Sequence, residues 1–216
     1  MQSLYLFLIS ESILFPLIVG LVRLRRSGKG YRPFFLMIAC AALNEPISFL
    51  FIRMTHSNAI PNNIYALIEW LLIAWQFHKW GLLQTRKKVF YVLVLFVSLI
   101  WVTEDLVLRE ITIYPPYFTV FYCFLIVLFS VNKINFMITH DDRNLLRHPE
   151  FLICIGFIIY FIYKIVYEWA YQSSLYGATD ITTTIISLFG YINALTNIIF
   201  SIALLRIPAP EKFTLR

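Results

Sequence analysis

Seven apolar stretches follow one another along the chain, and most are as long as the roughly 20 residues that a helix needs to cross a bilayer. They are Ser3–Val22, Pro33–Met54, Ile60–Phe77, Val89–Leu108, Tyr117–Val131, Phe151–Tyr171 and Ile181–Leu205. The stretches are continuous and lack the alternation of barrel strands. The pattern therefore predicts an all-α fold, a polytopic integral membrane protein in which residues 1–216 form a single seven-transmembrane-helix bundle.

Composition supports this prediction, since 60% of the residues are hydrophobic and only 14% are charged. Ordinary soluble domains are about a quarter charged. Because a soluble chain of this size could not hide so much apolar surface, we expect the lipid bilayer to be the main partner. The net charge of +6 does not predict a nucleic-acid partner, because the basic residues lie in short loops between apolar stretches.

The loop charges predict an orientation. Of the 18 Lys and Arg residues, 15 fall within residues 23–32, 79–88, 133–147 and 206–216, all on one side of the predicted bundle. The positive-inside rule places these segments in the cytosol, so the N-terminus is predicted outside and the C-terminus in the cytosol. We expect a multi-pass protein of the plasma (inner) membrane. No loop is long enough for a separate domain, so any signal into the cytosol would need a cytosolic or membrane protein partner or a movement of the helices.

Acidic residues inside the apolar stretches are the main functional signal, because a carboxylate in hydrocarbon is costly and marks a functional site by default. Six of the 12 acids lie within or at the edge of the predicted spans, between mid-membrane and the outer surface. They are Glu11, Glu45, Glu69, Glu104, Asp105 and Glu168. We predict that they share one outward-facing chamber, in which protonation, a bound cation or water offsets their charge.

The second span holds the strongest single marker, the run Asn44-Glu45-Pro46 at its midpoint. Pro46 has no N–H to donate to the Ala42 carbonyl, so a backbone acceptor is freed one turn away from two polar side chains. A local break of this kind is tolerated where a helix faces protein or a water-filled cavity. The run predicts either a binding site or a kink whose polar groups satisfy one another.

Helical spacing selects the remaining candidates. Tyr65 and Glu69 share one face of the third span. Lys164 and Glu168 form an i, i+4 pair in the sixth span, in which each charge can partly neutralise the other. The fifth span has no strongly polar residue at its middle and is expected to be the most lipid-exposed. The candidate ligand-binding or cation-binding residues are Glu11, Asn44, Glu45, Tyr65, Glu69, Asp105, Lys164, Glu168, Asn193 and Asn197.

Sequence motifs for catalysis are missing. The chain has no HExxH pair, no GxSxG turn and no glycine-rich phosphate loop, so we predict no catalytic residue and no cofactor. The run Glu69-Trp70-Leu71-Leu72 is similar to the acid-Trp stretch of microbial rhodopsins, which also have seven helices and an outside N-terminus. The retinal chemistry of that family requires a lysine in helix seven, and Ile181–Leu205 contains none. Retinal binding is therefore not expected.

Three functional classes stay open. The favoured one is a sensor or receptor-like module that binds a small, cationic ligand or protons in the acidic chamber and signals by movement around Pro46. The alternative is a proton- or cation-coupled transporter of a small solute, which would need a polar path through the cytosolic half. The third is an intramembrane enzyme that modifies lipid with a carboxylate pair.

Overall fold

The computed structural model describes residues 11–23, 29–108, 111–112, 116–140 and 144–208, apart from the side chains of Glu11, Lys29 and Thr85. Within these ranges there are seven α-helices and no strand. The helices are α1 (Leu14–Arg23), α2 (Arg32–Thr55), α3 (Ala59–Lys79), α4 (Lys87–Val102), α5 (Pro116–His140), α6 (Pro149–Ser174) and α7 (Asp180–Arg206). A π-helical segment, Thr103–Leu108, continues α4, and short 3-10 segments precede α1, α2, α4 and α6.

Five of the described helices are long and apolar enough to cross a membrane, namely α2, α4 with its π-helical continuation, α5, α6 and α7. The prediction of an all-helical, multi-pass membrane protein is confirmed at this level. The described part of the first helix, α1, is apolar but has 10 residues, and residues 1–10 of the first predicted span lie outside the described ranges. The 21-residue α3 carries Asn62, Glu69 and Gln76, and it is not among the five.

Six helices form a ring in the order α1, α2, α3, α5, α6 and α7, and α7 packs back against α1. The remaining helix, α4, lies outside this ring against α3 and α5. Hydrogen bonds show that α2 and α3 are antiparallel. Ser48, late in α2, bonds to Asn62, early in α3, and Gln76, late in α3, bonds to the backbone of Phe34, early in α2. The interior of the ring is therefore lined by side chains that are distant in sequence.

The predicted lipid exposure of the fifth span is wrong. Tyr122, Cys123 and Ile126 of α5 are completely buried, whereas α4 is the peripheral helix. A helix in the interior of a membrane protein needs no polar residues, because lipid tails and apolar side chains are similar environments. The absence of polar residues from a span therefore cannot tell an interior helix from a lipid-facing one.

Packed aromatic rings close the half of the ring in which α2 and α6 begin. We call Phe34, Phe77, Phe129, Phe157 and Phe200 the aromatic layer, and all five side chains are buried. The ring centroid of Phe157 lies 5.9 Å from that of Phe34 and 5.5 Å from that of Phe200, in edge-to-face geometry. Such contacts add to the gain from burying the rings. The interior between these five rings is therefore closely packed.

Gly156 faces Phe200 across the interface between α6 and α7. A Cβ atom added at Gly156 would lie 2.4 Å from Cε1 of Phe200, whose ring is held against Phe34 and Phe157. Gly156→Ala is therefore expected to lower the free energy of unfolding by about 1–3 kcal/mol. The readout is a lower thermal unfolding midpoint in detergent. Gly30→Ala is the control, because no atom lies within 4 Å of a Cβ at Gly30. Equal midpoints for both variants would contradict the tight packing.

Candidate functional site

A polar chamber lies inside the ring, with walls formed by α2, α3, α5, α6 and α7. Its main part has a volume of about 540 Å³ and reaches the connection between α2 and α3, where His56 and Ser57 are exposed. The chamber therefore opens at that end of the bundle, which we call its mouth. A smaller cavity of about 80 Å³ adjoins it on the side of the aromatic layer, and the two share Asn44, Glu45 and Tyr65. We treat both parts as one chamber.

A buried ion pair in the chamber wall joins three helices. Nζ of Lys164 on α6 lies 2.9 Å from Oε2 of Glu69 on α3 and 2.6 Å from the hydroxyl oxygen of Tyr122 on α5. The Tyr122 hydroxyl donates in turn to Oε2 of Glu69 over 2.8 Å. The side chain of Glu69 is 4% exposed and that of Lys164 is 16% exposed. These charge-assisted hydrogen bonds offset the cost of removing both charges from water.

Tyrosines complete the surroundings of the ion pair. The second carboxylate oxygen of Glu69 accepts a hydrogen bond of 3.0 Å from the hydroxyl of Tyr65, one turn earlier on α3. Nζ of Lys164 lies 5.3 Å from the ring centroid of Tyr122 and 5.6 Å from that of Tyr160. Both distances are in the range of cation–π attraction. The ammonium group of Lys164 thus lies between a carboxylate and aromatic rings in the chamber wall.

The carboxylate in direct contact with Lys164 is not that of Glu168. Lys164 pairs instead with Glu69, 95 residues away in the sequence, and within the described residues Glu168 accepts a hydrogen bond of 3.2 Å from Gln172. Glu168 lines the chamber and is 7% exposed. Spacing along α6 places Lys164 and Glu168 on one face, but the position of α3 decides which carboxylate reaches the ammonium.

The run Asn44-Glu45-Pro46 lies beside the chamber. Asn44 and Glu45 line it, and Nδ2 of Asn44 donates to Oδ1 of Asn62 over 2.7 Å. The hydroxyl of Ser48 donates to the same oxygen over 3.0 Å, so these bonds join α2 to α3 along the chamber wall. The second helix continues through Pro46 without a change of helix type.

Asn193 and Asn197 of α7 line the smaller part of the chamber. Nδ2 of Asn197 donates to the hydroxyl of Ser12 over 2.8 Å and lies 3.4 Å from Oδ1 of Asn193. Asn197 thereby ties α7 to the 3-10 segment before α1. It has a structural contact in addition to its place in the lining.

Two acids at the end of α4 do not reach the chamber. Asp105, a predicted site residue, is absent from its lining, is 2% exposed and has no hydrogen-bond partner on either carboxylate oxygen among the described residues. The neighbouring Glu104 accepts hydrogen bonds from the backbone N–H groups of Tyr117 and Phe118, over 3.2 Å and 2.7 Å. Glu104 therefore caps the N-terminus of α5. The side chain of Glu11 lies outside the described residues.

The chamber thus brings together three of the predicted acids, Glu45, Glu69 and Glu168, with the cation Lys164. Its wall also contains tyrosines absent from the predicted site, namely Tyr122, Tyr160, Tyr167 and Tyr171. The three on α6 share a helical face with Lys164 and Glu168, so spacing could have identified them. No signal pointed to the tyrosine on α5. Among the described residues, no group of three or more His, Cys, Asp or Glu is placed to hold a metal ion.

Removing one member of the ion pair is expected to destabilise the protein. Lys164→Met and Glu69→Leu each leave the opposite charge buried without compensation, at a cost of about 3–5 kcal/mol of unfolding free energy. The double variant should lose much less than the sum of both, because no charge stays unpaired. Thermal unfolding in detergent compares the four proteins. Glu168→Gln is the control and should stay near the wild type. A greater loss in Glu168→Gln than in Glu69→Leu would favour the pair predicted from the sequence.

Comparison of the chain with protein-family models, with curated proteins and with solved structures finds no match.

Proposed function

We propose that this protein is a membrane sensor that binds a small organic ammonium ion in the chamber. The composition of the lining supports the proposal. Among the described residues, Glu45, Glu69 and Glu168 outnumber the one lysine, Lys164, and tyrosine rings stand around them. Carboxylates attract the charge of a protonated or quaternary amine, and aromatic faces add cation–π attraction. Few polar groups converging in an aromatic cavity are also typical of small-molecule sites.

The surroundings of Lys164 support the same ligand chemistry. Its ammonium group is held by the Glu69 carboxylate and lies near the rings of Tyr122 and Tyr160. A ligand ammonium would take the part of the chamber nearer the mouth, where Glu168 and Tyr171 contribute to the wall. Repulsion from Lys164 would favour that position, because two like charges repel each other strongly in a medium of low dielectric constant.

The closed half of the ring favours sensing over transport. A transported solute would need polar groups beyond the chamber, and the side chains of Gln76, Ser130 and Ser201 in that half are bonded to the protein backbone. The aromatic layer fills the space between them. The local bonding of these three side chains and the packing of the aromatic layer support binding without passage.

We further propose that all seven helices cross the plasma (inner) membrane, with the mouth and the N-terminus outside. The basic segments at the opposite end of the helices support this orientation. A ligand between Glu45 on α2 and Glu168 on α6 would draw these helices together. Pro46 follows Glu45 and removes one backbone hydrogen bond, so α2 bends most easily there. The bend would reach a partner protein docked on the basic end.

Choline is the probe for the ammonium site, and 3,3-dimethylbutan-1-ol, its uncharged isostere, is the ligand control. The purified protein in neutral detergent is expected to bind choline and not the alcohol in isothermal titration calorimetry. Glu168→Gln should weaken choline binding about tenfold, or about 1.4 kcal/mol, because one charged partner is lost. Asp180→Asn, which removes an exposed acid at the start of α7, is the protein control. Equal affinities for both ligands, or equal choline affinities of both variants, would remove the proposal.

Transport of the same probe provides an independent test. Liposomes that contain the protein are expected to accumulate no more labelled choline than protein-free liposomes under an inside-negative potential, because the aromatic layer blocks passage. Accumulation that is lost in Glu45→Gln would establish the transport alternative instead.

A further inference from the structure

A second cavity lies on the outer surface of the ring, in the groove between α2 and α3. Its volume is about 340 Å³, and its lining is almost entirely apolar. Leu43 and Ile47 of α2 and Ile64 and Ile68 of α3 form its sides, and all four are exposed. In a helical membrane protein, exposed aliphatic side chains in this position face lipid tails. We call this cavity the lateral groove.

The lateral groove and the chamber are separated by a thin wall. Asn44 and Tyr65 belong to the lining of both, so each side chain contacts the groove on one side and the chamber on the other. Asn44 is held by Asn62, and Tyr65 by Glu69. These two residues supply the groove with its only polar side chains besides a cysteine thiol. An apolar space open to the bilayer thus adjoins a polar space lined with carboxylates.

We infer that the ligand is a single-chain amphiphile whose ammonium head lies in the chamber and whose alkyl tail lies in the lateral groove. This inference rests on the proposed function, since the head group is the organic ammonium ion proposed above. Each end of such a molecule matches one cavity. The charged end fits the acidic chamber, and the aliphatic end fits the lateral groove. The junction between head and tail would pass between Asn44 and Tyr65.

The energetics of the tail are specific to a membrane. A tail already dissolved in lipid gains little from moving into an apolar groove, because both environments are alike. The bilayer instead concentrates the amphiphile next to α2 and α3, since each buried CH₂ group adds to its membrane affinity. The groove then selects by shape, which means that filling it with a larger side chain should exclude the tail.

The route from the bilayer to the chamber passes α2 at the level of Pro46. Pro46 lies two residues from Asn44 and leaves the Ala42 carbonyl without its helical donor. Separation of α2 from α3 at this level requires breaking the hydrogen bonds of Asn62 with Asn44 and Ser48. The helix that forms one side of the groove is therefore the helix that carries the proline and the chamber acid Glu45.

The test compares two probes with the same head group in neutral maltoside micelles. One is choline, and the other is choline in which one N-methyl group is replaced by octyl. Ile64→Trp fills the groove from α3, and Leu43→Trp fills it from the side of α2. Leu95→Trp adds the same side chain at an exposed position of α4, away from the groove, and is the control. All variants experience the same partitioning of the probe into micelles.

Filling the groove is expected to weaken binding of the octyl probe about tenfold, or about 1.4 kcal/mol, and to leave choline binding unchanged. Leu95→Trp should change neither affinity. The inference is overturned if both groove variants bind the octyl probe like the wild type, or if they weaken both probes equally. A wild-type protein that does not bind choline is a different result, because it contradicts the proposed function itself.

Discussion

The ion pair between Glu69 and Lys164, with the Tyr122 hydroxyl bonded to both, is the contact on which the interior depends. It connects α3, α5 and α6 at a single point. Among the described residues, Glu69 is the one charged side chain that α3 contributes to the chamber, and α5 contributes none. Two opposite charges in a site of low dielectric constant hold their helices at a fixed distance, because loss of either one leaves the other without compensation. The chamber walls are set by this distance.

The two halves of the ring differ because their polar groups are used differently. Beyond the chamber, the amide of Gln76 accepts a hydrogen bond from the backbone N–H of Phe34 and donates one to the carbonyl of Gly30. Phenylalanine rings pack beside it. Toward the mouth, polar side chains such as Glu168 line open space. A polar group that is satisfied locally allows dense packing, whereas a carboxylate that faces a cavity keeps that cavity hydrated. The interior is thus closely packed around the aromatic layer and open toward the mouth.

The second helix links the three parts of the proposed mechanism. Its inner face supplies Glu45 to the chamber, its outer face supplies Leu43 to the lateral groove, and Asn44 lies at the boundary of both. Pro46 lowers the cost of bending at the same level. A sensor of membrane amphiphiles would need these properties in one helix, since the tail arrives from lipid, the head is recognised inside, and the response must travel along the protein.

The seven apolar segments, the helical class and the polar residues within the spans could be predicted from the sequence, because length and hydrophobicity are local properties of the chain. It also predicted a shared chamber for Glu45, Glu69, Glu168 and Asn44, from their depth in the spans, the proline beside Glu45 and the faces of the third and sixth helices. The contact between Lys164 and Glu69, the interior position of α5 and the distance of Asp105 from the chamber became known only from the packing of the helices. Periodicity gives the face of a helix, but which neighbour that face meets depends on packing between segments far apart in the sequence.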